Sequence, residues 1–71
     1  MVKATDWTKK GQNLYHIEAI ADTKEEVDEG APIIGIPENY QLEMGSSIMT
    51  VDGEIAFLTS DGIWNWVGAG D

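Results

Sequence analysis

Seventy-one residues carry thirteen acids against four lysines, with no arginine and no cysteine, for a net charge of −9. A chain of this length makes one domain, buries only about 60% of the surface its unfolded form exposes, and leaves no room for a scaffold and a deep catalytic cleft together. The absence of cysteine excludes a disulfide framework and a thiolate zinc site, and His16, the single histidine, cannot build a multi-histidine site.

In chain order, residues 1–13 mix Lys, Thr, Asp and Gly with one large apolar residue, Trp7, and read as an N-terminal arm that this indole could pin. Leu14 to Ala21 (LYHIEAIA) carries the β-favouring Tyr15, Ile17 and Ile20 with no helix cap before it, which predicts a strand. Thr23 followed three residues later by Glu26 fits a capping box, with Glu25 and Glu26 where the helix dipole favours acids. Asp28, Glu29 and Gly30 then stop the helix after one or two turns, with Val27 as its inward residue. Between Pro32 and Pro37, Ile33, Ile34 and Ile36 predict a brief edge strand or a core-crossing loop.

The last third is the most regular. Asp52-Gly53 and Asp61-Gly62 are each flanked by β-rich runs, a strong hairpin signal. Ser47 to Val51, Glu54 to Thr59 and Ile63 to Val67 should form a three-stranded antiparallel meander, with a type I′ turn at Asp52-Gly53 and a longer Ser60-Asp61-Gly62 loop that puts Gly62 in the left-handed region. The fold class expected is therefore mainly β with a minor α part: this meander, an N-terminal strand and one short helix. Residues 14–67 form the domain, and 68–71 a flexible tail.

Both faces of that meander carry large apolar side chains, so it should be covered on both sides. The first strand, Val27 and the three isoleucines can cover one face, and little is left for the other. A partner chain follows, most economically a second copy, with Trp64, Trp66, Leu58 and Met49 as contact residues and Phe57 and Trp7 beside them. The alternative is that the two indoles only lid a small core.

Charge divides along the chain. Residues 1–24 hold Lys3, Lys9, Lys10 and Lys24 against Asp6, Glu18 and Asp22, a net of +1, whereas 25–71 hold ten acids and no base. That field repels phosphate backbones and argues against direct nucleic-acid binding. The longest apolar runs, Ala19 to Ala21 and Ile33 to Ile36, are far short of a membrane span, and no basic-then-apolar signal opens the chain; a protein made in the cytosol is expected. No catalytic constellation is legible: His16 with Ser46 or Ser47 lacks a nucleophile elbow, Gly68-Ala69-Gly70 has no following helix or lysine, and Glu25, Glu26, Asp28 and Glu29 lack calcium-loop spacing. No enzyme, cofactor or metal is expected. Stacking of sugar on Tyr40, Trp64 and Trp66 ranks below packing.

From Pro37 to Val67 the chain resembles small virion proteins encoded beside the capsid genes of tailed bacteriophages. The resemblance rests on Pro37, Glu38, Tyr40, Gly45, Ser46, Ser47, the Asp52-Gly53 turn, Phe57, Leu58, the Asp61-Gly62 turn, Trp64 and Trp66, and at the opening on YHIEAIA followed by Thr-Lys-Glu-Glu. It implies a head decoration protein or the capsid-bound base of a head fibre, commonly a homotrimer, on the virion surface and in contact with the major capsid protein. No fibre repeat follows the meander, which fits a compact surface protein better. The competing expectation from the −9 charge is an acidic DNA mimic that inhibits a host nucleic-acid-binding protein, although Glu38, Glu43, Glu54 and Asp61 sit singly at turns and strand ends rather than in phosphate-like rows.

Overall fold

The computed structural model describes residues 1–37 and 39–67. It is a mainly β, open mixed sheet with one short helix. The strands are β1 (Val2–Gly11), β2 (Leu14–Ala21), β3 (Ile33–Ile34), β4 (Gln41–Leu42), β5 (Ser47–Thr50), β6 (Ile55–Leu58) and β7 (Trp64–Val67), with helix α1 (Lys24–Asp28) between β2 and β3. Their order across the sheet is β3-β1-β2-β5-β6-β7, and β4 pairs with the far end of β2. The expected tail at 68–71 lies outside the described residues.

Helix α1 starts as the capping box predicts. The Thr23 hydroxyl accepts from the Glu26 backbone N–H and the Glu26 carboxylate accepts from the Thr23 N–H. Val27 is buried, and Gly30, at φ +81°, turns the chain away from the helix. The Ile33–Ile34 pair makes the expected edge strand, parallel to the start of β1.

The meander forms in antiparallel register, Met49 opposite Ile55 and Ile55 opposite Val67. Its two turns share one construction. Gly53 N–H donates to Thr50 C=O, Gly62 N–H to Thr59 C=O, and each threonine hydroxyl accepts from the residue that follows the glycine. Both glycines have positive φ while Asp52 does not, so the first loop is a three-residue turn ending in a left-handed glycine, not the expected type I′ turn. The shared Thr-x-Asp-Gly spacing is its sequence signature.

Residues 1–13 are not an arm. Val2–Gly11 form the longest strand, paired with β2 with bulges after Ala4 and Lys9, and Val2 and Ala4 are core residues. Asn13, at φ 67°, closes the hairpin turn at its far end. The side chains gave little hint because β1 is exposed from Thr5 to Gly11 even where it lies opposite the core residues Ile17 and Tyr15, so the backbone ladder, with Trp7 packed on Tyr15, specifies the strand.

The core lies on one face of the sheet. Val2, Ala4, Tyr15, Ile17, Ala19, Ala21 and Ile48 from the strands meet Val27 and Ile33, with Ile36, Tyr40, Leu42, Trp64 and Trp66 packed around them. Helix α1 and the segment after it therefore cover this inner face, while β2, expected as part of the cover, is a central strand of the sheet.

Candidate functional site: the outer face of the sheet

The six residues expected to form one contact surface separate. Leu58 is buried, and Trp64 and Trp66 lie half-buried on the inner face against the core. Trp66 donates its indole N–H to Asp28 Oδ1 at 2.9 Å, and the Lys24 ammonium stands 5.5 Å from its ring centroid, so the ring is clamped by the helix. The indoles are thus the lid over a small core, the alternative reading of these residues. Beside them, Val27, Asp28, Gly30, Gly62, Ile63 and Trp64 line a shallow depression of about 280 Å³. Trp7 lies on the same inner face, opposite Ile17 in the register and edge-on to Tyr15 with centroids 5.2 Å apart.

Met49 and Phe57 project from the opposite face. The pairings put Lys3 beside Ile34 and Ile20, Ile20 beside Met49, Met49 beside Ile55 and Ile55 beside Val67. One row of outward side chains thus crosses six strands: Ile34, Lys3, Ile20, Met49, Ile55, Val67. A second row, two residues along β2, β5, β6 and β7 and three along β1 where a bulge intervenes after Ala4, reads Asp6, Glu18, Ser47, Phe57, Asn65. Relative exposures are 47% for Ile20, 49% for Met49, 45% for Phe57 and 46% for Val67. A groove of about 370 Å³ runs between Thr5, Glu18, Ile20, Ser47, Met49, Ile55 and Phe57. Of this face, Met49 and Phe57 were expected as contacts. Ile20, Ile34, Ile55 and Val67 were missed, although the shared Thr-x-Asp-Gly turn could have aligned Met49, Ile55 and Val67.

Charges sit at one end of this face. Asp6 and Glu18 are directly opposed across β1 and β2, an unfavourable like-charge pair, with Lys3 on the neighbouring row. Among the described residues the Met1 amino group pairs with Asp22 and Glu26, and His16 Nδ1 shares a hydrogen bond with Glu43 Oε1 at 3.0 Å. The Met1 amino group, then the Thr23 and Asp22 backbone N–H groups, hold the Glu26 carboxyl below its ordinary range. No group of three or more His, Asp or Glu residues converges as a metal site would among the described residues. What the outer face offers chemically is apolar area with a polar, charged end. Comparison with protein-family models, with curated proteins and with solved structures found no match.

Proposed function

We propose that this chain is a non-enzymatic assembly protein of a tailed-phage virion, self-associating and bound to the exterior of the head through the major capsid protein. The observation that carries the reading is the apolar row Ile20, Met49 and Val67, with the half-buried Ile55 between them and Phe57 beside it, left uncovered on a domain whose other face holds its whole core. A small domain with an exposed sheet face of this kind gains stability from a covering chain. The resemblance of Pro37 to Val67 to phage virion proteins supplies the setting. The acidic remainder then keeps neighbouring copies and whole particles from sticking. Engagement of Asp22, Glu26, Asp28 and Glu43 in contacts within the chain weighs against a DNA mimic, which needs its carboxylates free.

The test is co-sedimentation with bare heads of a phage that carries the gene. Attachment through apolar contacts persists when salt shortens the Debye length from about 10 Å at 0.1 M to about 3 Å at 1 M. Release by salt alone, with stoichiometric inhibition of a host nuclease, would overturn the virion reading in favour of the mimic.

A further inference from the structure

We infer that the outer sheet face binds the same face of a second copy about a two-fold axis lying across the strands, midway between its two rows. This rests on the self-association in the proposed function and not on attachment to a head. Such an axis lays each copy's first row over the other's second row, with β1 facing β1 and the strands of the two sheets running in opposite directions. Lys3 of each copy then stands over the Asp6 and Glu18 pair of the other, twice by symmetry. Met49 and Ile55 of each meet Phe57 of the other in the same operation.

Two features of the single chain favour a second copy as the occupant. The first is local charge complementarity: Lys3 and the opposed acids Asp6 and Glu18 are one row apart at the same end, the separation that a two-fold axis between the rows brings into register. The second is the opposed Asp6 and Glu18 carboxylates themselves, which have no ion-pair partner among the described residues, as Lys3 has none among them. A cation delivered from outside the chain relieves their repulsion. The Lys3 stem, lying between Ile34 and Ile20, adds apolar area to the row while its ammonium reaches outward.

The size of the face sets the strength. Six strands spaced at about 4.8 Å and two rows, each taking about 7 Å along the strands, give a face of about 24 Å by about 14 Å. Two such faces enclose roughly 700 Å² before side-chain relief is added, at the low end for specific contacts, so dissociation in the micromolar range is expected. The contact joins two copies, where the resemblance implies three.

The experiment is analytical ultracentrifugation of the whole chain, as wild type, Met49→Asp, Lys3→Glu, Glu18→Lys and an equimolar mixture of the last two, with circular dichroism to confirm that each variant folds. The wild type should pass from one to two copies as concentration rises, and Met49→Asp should remain single. Each charge variant alone should dimerise at least about tenfold more weakly. Their mixture should recover affinity to within about threefold of the wild type, because each introduced charge then faces its opposite in the other copy. A mixture no tighter than its components would overturn the two-fold pairing. A wild-type mass of three copies would overturn it while leaving self-association standing, and a single copy at every concentration up to roughly 1 mM would overturn both.

Discussion

Ser46 is fully buried, and its hydroxyl does the work of a strand. Along one edge of β2 the neighbouring chain changes from β4, which pairs with Leu14 and Tyr15, to β5, which begins pairing at Glu18. Ile17 falls in the gap, fully buried, and its backbone N–H has no strand to meet. The Ser46 Oγ accepts that hydrogen at 3.1 Å and donates its own to Glu43 C=O at 2.8 Å. In Ser46→Ala the Glu43 carbonyl keeps the Ser46 backbone N–H as donor, but the Ile17 N–H is orphaned in the core. An unsatisfied buried donor costs about 1–3 kcal/mol. A domain this small commands only about 3–5 kcal/mol from its core. The midpoint of thermal unfolding should therefore fall by about 10 °C, at roughly 4–8 °C per kcal/mol for a domain of this size. Urea unfolding followed by tryptophan emission measures the loss directly, with the outward Ser47→Ala expected within about 0.5 kcal/mol of wild type. A Ser46→Ala variant as stable as Ser47→Ala would refute the hydroxyl's place in the ladder.

Gly53→Val forces a β-branched residue to φ +89° where nothing stands within 4 Å of the new Cβ, so the loss of at least about 1 kcal/mol in a thermal melt is backbone strain alone. Trp66→Ala should lower the stability of the single chain by more than about 1 kcal/mol, measured with urea, because the ring packs on the core, while dimerisation through the outer face persists. Thr23→Ala removes the helix cap and should cost about 1 kcal/mol by the same measurement. Because the folded state depresses the Glu26 pKa from about 4.5, its stabilising contribution is present above that value and is lost as pH falls through the lower folded value; Glu26→Gln should flatten this part of an acid titration followed by circular dichroism.

What the sequence by itself determined was local. Thr23 and Glu26 specify a helix start through backbone N–H groups three residues away, Asp52-Gly53 and Asp61-Gly62 specify reversals through a glycine φ, and LYHIEAIA specifies a strand through its β-favouring side chains. Each involves atoms within a few residues, so the mainly β class and the antiparallel meander were readable. The tertiary structure decided which side of that meander is inside. Period-2 alternation separates Trp64 and Trp66 from Ile63 and Val67 but leaves the two faces equivalent when both are apolar. The choice fell to the clamp of Trp66 by Asp28 and Lys24, residues close to forty positions away. The same holds for the parallel pairing of β2 with β5, which depends on backbone partners distant in the chain. Ile20 joins Met49, Ile55 and Val67 in one row only through that parallel pairing, and so the outer face exists only once the sheet is assembled.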